Sequence, residues 1–161
     1  MFYAFLEDTP VGRLLVAGDD SGLKHVSFST AHFSSTEVKP QDDWEMSGRR
    51  LKEPLRQLKA YFGGKLKKFD VALSAEGTDF QRSVWKALCN VPFGSTASYG
   101  DIAKSVGNAA ASRAVGMANG RNPVAIIVPC HRIIGSSGKL IGYGGGLDHK
   151  QTLLRLEGVA C

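Results

Sequence analysis

The first third of the chain alternates apolar and polar positions with the period of an extended strand. Phe2–Leu6, Arg13–Ala17 and Leu23–Phe28 predict three short strands. Thr9-Pro10-Val11-Gly12 and Asp19-Asp20-Ser21-Gly22 separate them with turn-forming residues. The polar stretch Ser29–Asp43 predicts an irregular surface loop. From Ser47 the period changes: Leu51, Leu55, Leu58, Tyr61 and Phe62 recur at helical spacing, and Gly63-Gly64 end the run. Phe69–Leu73 reads as one more short extended segment. Nothing in this half suggests chemistry, and His25 and His32 read as surface residues.

A second pattern begins near Ser74–Thr78 and is helical. Thr78 and Gln81 form a capping-box pair ahead of a helix burying Phe80, Val84, Trp85 and Leu88, which Pro92 and Gly94 stop. Ser98 and Asp101 predict a cap on a short helix from Tyr99 to about Ser105, closed by Gly107. Asn108 predicts the cap of another helix, Ala109 to about Asn119. The expected class is α+β: residues 1–77 a small three-stranded antiparallel sheet with a helix, residues 78–161 mainly helical with a helix-turn-helix. An ordinary helical hairpin in a core would show the same spacing.

The Ala109–Asn119 run is nearly all small residues with one arginine. Major-groove reading needs several long polar side chains, so this helix is poorly equipped to read sequence. Small residues permit close approach, and Arg113 can act as a wedge, which suits minor-groove binding with little sequence preference. Charge agrees. The net charge is +5, and the whole excess lies in residues 78–161, with nine basic against four acidic residues.

Cys130 and His131 then stand side by side after the apolar run Ile126-Ile127-Val128. A thiol is strongly nucleophilic only as thiolate, and a neighbouring imidazole can take its proton. A buried structural cysteine beside a histidine is the bland alternative. The three cysteines, Cys89, Cys130 and Cys161, are odd in number and widely spaced, which argues against a disulfide framework and for a reducing, cytoplasmic setting. No CxxC or His-rich cluster suggests a metal site. No apolar run approaches membrane-spanning length, and the start lacks a secretory pattern.

From Thr78 to Gly158 the chain resembles the catalytic domain of O6-alkylguanine-DNA alkyltransferases. The resemblance rests on Asn122-Pro123-Val124, Val128-Pro129-Cys130-His131-Arg132-Ile133-Ile134, Ser98-Tyr99, Ser112-Arg113-Ala114-Val115-Gly116, Ser136-Ser137-Gly138, Gly142–Leu147 and Leu156-Glu157-Gly158, in order. It implies that double-stranded DNA carrying O6-alkylguanine, with O4-alkylthymine as a second candidate, gives its alkyl group to Cys130. His131 would take the thiol proton through a water, and Glu157 would hold the imidazolium. Asn122 would fix the turn before the cysteine. Tyr99 would crowd the phosphate and donate a proton to guanine N3, and Arg113 would fill the gap left by the flipped base. Ala109, Ala110, Ser112 and Gly116 would face DNA. Asn119, Tyr143, Gly144 and the backbone of Cys130 and Ile133 would contact the base.

The resemblance also implies no cofactor; some members of the family hold zinc in the N-terminal domain through cysteines and histidines, and this chain, with no cysteine before Cys89, is expected to have no such site. The resemblance implies a monomer in solution, nucleoid-associated when on DNA and spent after one transfer; cooperative loading on DNA stays open. A non-repairing alkylguanine-binding module would lack the acceptor cysteine. A cysteine hydrolase would have no use for Arg113. A sequence-specific regulator would need a longer-armed helix.

Overall fold

A computed structural model of the chain describes residues 1–29, 38–140, 143 and 146–161. The three strands form where the alternation places them and run longer: β1 Phe2–Thr9, β2 Gly12–Asp19 and β3 Gly22–Phe28. They pair antiparallel, with Ala4 opposite Val16 and Val16 opposite Val26. β2 is the middle of the three, and Leu14, Leu15, Val16 and Ala17 are all buried, so both of its faces are covered. A fourth strand, β4 Glu45–Met46, adds parallel to β1 at the sheet edge. Three strands were expected. A two-residue strand far along the chain carries no alternation of its own to announce it. Phe69–Leu73 forms no strand, but its end touches the sheet: Leu23 N donates to Ala72 O at 2.8 Å, and Ser74 N donates to Leu23 O at 2.8 Å.

Helix α1 spans Lys52–Phe62 and buries Leu58 and Tyr61. α2, Asp79–Leu88, opens on the expected capping box: Gln81 N donates to Thr78 Oγ1 at 3.1 Å, and Thr78 N donates to Gln81 Oε1 at 2.9 Å. Val84, Trp85 and Leu88 face inward, and Phe80 packs half-buried against them. The short strand β5, Ala97–Ser98, leads into α3, Tyr99–Ser105, whose Ser98–Asp101 capping box is also complete.

The next helix, α4, spans Ser112–Gly120 and starts later than the sequence suggests. Asn108 does not cap it. Gly107 sits at φ +82° and its N–H returns to Lys104 O, while Asn108 N–H returns to Ala103 O, both at 3.0 Å. Asn108 is thus used to close α3 in the Schellman manner. Ala111 N then bonds Asn108 O at 3.0 Å, leaving Ala109 and Ala110 in an exposed turn.

β3 lies at the sheet edge and is covered there by the chain leading to the cysteine. Val26 N donates to Pro123 O, and Ala125 N donates to Val26 O, both at 3.0 Å. Beyond it come a 3₁₀ turn at Cys130–Arg132, strand β6 Ile133–Ile134 paired parallel with β5, and the last helix, α5 Leu147–Leu156. One continuous set of buried side chains runs from Ala4 to Leu153, so both halves share a core.

Candidate active site

Two tight turns deliver Cys130. Ile126 takes φ +71°, and Ile127 N donates to Ala125 O at 2.8 Å across it. A β-branched residue in that region costs about 1–3 kcal/mol, which its fully buried side chain offsets. Pro129, at φ −82° and ψ 63°, makes the second turn, with Cys130 N donating to Val128 O at 2.8 Å. Asn122 locks this segment from the side. Its Nδ2 donates to Val128 O at 2.9 Å and Val124 O at 3.4 Å, and its Oδ1 accepts from Val124 N at 3.0 Å. A side chain spanning residues 124 to 128 holds the cysteine's approach rigid.

Cys130 is 5% exposed and lines a cavity of about 280 Å³. Tyr99, Gly116, Asn119, Asn122 and Tyr143 line the same cavity, with Val26–Phe28 of β3 on the other side. The Tyr99 ring lies against Gly116; a β-carbon there would sit 3.6 Å from it. Asn119 is buried, with Nδ2 3.5 Å from Cys130 O. Phe28 meets Tyr143 edge-on, with ring centroids 5.9 Å apart.

Burial pushes the Cys130 thiol above its ordinary value. Hydrogen bonds from Asn122 and Tyr143 and the Lys150 charge pull the other way without cancelling it. Burial likewise holds His131 below the ordinary imidazole value, against the pull of Glu157. A neutral thiol therefore sits beside a neutral base at pH 7, and proton transfer has to accompany attack.

Behind the cysteine, His131 Nε2 and Glu157 Oε2 are 2.6 Å apart, both fully buried. Arg132 Nε donates to Glu157 Oε1 at 2.8 Å and Nη2 to Oε2 at 3.1 Å, while Nη1 donates to Val91 O at 2.7 Å. Tyr61 OH donates to Glu157 Oε2 at 2.6 Å. Burial opposes charge on Glu157, yet these donors outweigh it and hold the carboxyl at about 2. An ionised carboxylate only accepts, so His131 Nε2 must carry the proton. His131 Nδ1 is left as the basic nitrogen, and it is buried with no hydrogen-bond partner among the described residues.

The structure thus brings together Cys130, Asn122, Tyr99, Gly116, Asn119 and Tyr143 around one cavity, with His131 and Glu157 behind it. Ile133 does not join them. It is buried and outside the cavity's lining, and its carbonyl accepts from Lys150 Nζ, which leaves that oxygen a second lone pair. Gly144 lies outside the described residues, as do Gly142 and His32. Ala109, Ala110 and Arg113 are exposed and Ser112 half-exposed, on the turn and first residues of α4.

Three side chains that meet the site's buried groups escape the sequence reading: Tyr61, Arg132 and Lys150. The first belongs to the N-terminal half, where the sequence suggests no chemistry. Helical spacing shows that Tyr61 faces the core but not that its hydroxyl meets an acid 96 residues away. A buried lysine at the fourth residue of α5 leaves no trace in periodicity.

Comparison with known proteins identifies relatives of both halves of the chain. Residues 79–159 match the DNA-binding domain of 6-O-methylguanine DNA methyltransferase, and residues 1–75 match its ribonuclease-like domain. The methylated-DNA–protein-cysteine methyltransferase of Methanosarcina acetivorans is 54% identical over 98% of this chain and 99% of its own length. That of Mycobacterium tuberculosis is 49% identical over 93% and 88%. The M. tuberculosis OGT solved in complex with DNA superposes with a TM-score of 0.89 at 47% identity, covering 98% of this chain and 93% of that one. The enzyme from Pyrococcus kodakaraensis shares 26% identity at a TM-score of 0.71, covering 98% and 99%. Among the described residues no helix is long and apolar enough to cross a membrane. On both halves of its length, the chain belongs to the 6-O-methylguanine DNA methyltransferase family.

Proposed function

We propose that this protein repairs DNA by moving the alkyl group of O6-alkylguanine onto its own Cys130. The observation that carries the proposal is the buried thiol in a base-sized cavity, backed by a histidine whose tautomer is fixed by an ionised glutamate. Residues 78–161 do the binding and transfer, and residues 1–77 support them.

DNA binds along the turn and the start of α4. Ala109, Ala110, Ser112 and Gly116 let the backbone approach the minor groove, and Arg113 occupies the stack as the base leaves it. The flipped guanine enters the cavity between Tyr99 and Tyr143, beside Asn119. A water-bridged path carries the thiol proton to His131 Nδ1, while Nε2–H stays on Glu157. Sγ attacks the alkyl carbon in line. The carbon–O6 bond breaks, its electron pair passes into the purine, and N3 takes a proton from the Tyr99 hydroxyl. Burial holds that phenol above its ordinary value, so it is protonated at rest, and the negative charge that the purine gains is what draws the proton to N3. Lys150 places positive charge toward the developing thiolate. Asn122 keeps the cysteine on its track.

The product is a thioether, which has no leaving group for water to exploit, so each molecule acts once. No cofactor enters, because donor and acceptor are substrate and protein. The three free cysteines and a DNA substrate fit a reducing cytoplasm, with the protein on the nucleoid when bound. The test is transfer of label from an oligonucleotide carrying O6-methylguanine labelled on its methyl group. Uptake by protein saturating at one equivalent is expected. Tight binding without uptake would make this a recognition module, and turnover beyond one equivalent would reopen the hydrolase reading.

A further inference from the structure

Among the described residues of the N-terminal half, Tyr61 is the one whose side chain hydrogen-bonds to the buried Glu157, and no step above uses it. It lies on α1, fully buried, with its ring against Phe62, Phe69 and Phe93 at centroid distances of 5.3, 5.4 and 6.1 Å. Its hydroxyl donates to Glu157 Oε2 at 2.6 Å. That oxygen also meets His131 Nε2 at 2.6 Å and Arg132 Nη2 at 3.1 Å, while Oε1 takes Arg132 Nε at 2.8 Å.

We infer that Tyr61 is a positioning residue for alkyl transfer, which keeps the Glu157 carboxylate turned to His131 and limits how strongly it draws positive charge onto the imidazole. The inference rests on the repair reading above. The physical basis is the sharing of one oxygen. Burial and the Glu157 charge push the phenol far above its ordinary value, so it stays a donor. Each donor on Oε2 withdraws electron density from the others. A carboxylate held by Tyr61 and Arg132 stabilises an imidazolium less than an unshared one, so His131 stays neutral and able to accept the thiol proton.

The groups facing His131 are Glu157 at the end of α5, Arg132 on its own turn and Lys150 on α5; the two cations also disfavour imidazolium. Those facing Tyr61 are Glu157 and Arg132, with the Tyr143 hydroxyl within electrostatic reach. Removing the Tyr61 hydroxyl therefore leaves Arg132 as the remaining brake on Oε2. His131 then becomes more basic. The N-terminal half would thus set the working pH of a cysteine carried by the C-terminal half.

Tyr61→Phe keeps the ring and its packing and removes only the donor. The test is the pH profile of single-turnover transfer, with NMR titration of the His131 imidazole, in wild type and Tyr61→Phe. The acid midpoint of transfer and the His131 titration should both move to higher pH by about half a unit or more. A purely structural role would lower stability without moving either midpoint. Wild-type protein that self-alkylates, with midpoints unmoved by Tyr61→Phe, overturns this inference alone. Wild-type protein that fails to self-alkylate overturns the repair reading and this inference with it.

Discussion

The turn and helix proposed to face DNA and the network behind Cys130 are built by opposite rules. Along Ala109–Met117 the outward side chains are small or solvated: Ala109, Ala110, Arg113, Ala114 and Met117 are exposed. Behind Cys130, by contrast, the fully buried Glu157 carboxylate takes four hydrogen bonds from three residues. The contrast teaches where each kind of function can be held. Recognition of a flipped base needs a surface that stays open until DNA fills it. Proton transfer needs a carboxylate whose every donor is already in place, because a buried charge is costly unless it is fully partnered.

Substitutions should therefore separate cleanly between the two regions. The largest effect belongs to Cys130→Ala: transfer falls to background in a label-uptake assay, while affinity for the same DNA in a binding titration stays within a few-fold. Glu157→Gln comes next. It leaves Arg132 a buried cation without its counter-charge, so denaturant unfolding should show a loss of about 3–5 kcal/mol. Any folded fraction should transfer far more slowly. Arg113→Ala should leave stability unchanged, since the side chain is exposed, yet weaken DNA binding and transfer by about tenfold, or about 1.4 kcal/mol. Equal unfolding curves with a lost DNA titration would sharpen the contrast; a shared loss of stability would break it.

The smallest effects are in pH. His131 is held below its ordinary value of 6.5, so transfer at pH 7 should be near its plateau and fall only as acid protonates Nδ1. Stability follows the same direction. A depressed imidazole means the unfolded chain takes up a proton first, so stability declines as pH drops below 6.5. Glu157 adds to this: its stabilisation is complete above the ordinary 4.5 and lost as pH falls toward about 2. Acid titration of unfolding midpoints checks both signs.

Much of this was readable in the residues. Both capping boxes and the three main strands follow from local chemistry, because turns and caps are made by neighbours in sequence, and Cys130 stands out beside His131; the cavity's Tyr99, Tyr143, Asn119 and Asn122 came only from the family resemblance. The misplaced start of α4 has a local cause too: Asn108 fits two roles, helix cap and helix closure, and the positive φ of Gly107 assigns it to the second. The two-residue β4 and the hydroxyl of Tyr61 were invisible for another reason. Each acquires its meaning only from a partner brought close by the fold.

The most direct measurement uses the protein's own three cysteines as competitors. Cys89 and Cys161 are exposed, whereas Cys130 is buried. After incubation with an oligonucleotide containing O6-methylguanine, intact mass and peptide mapping should find one methyl group per molecule, on Cys130 alone. Methyl groups on Cys89 or Cys161, or none on Cys130 while the DNA is bound, would contradict a site built for transfer.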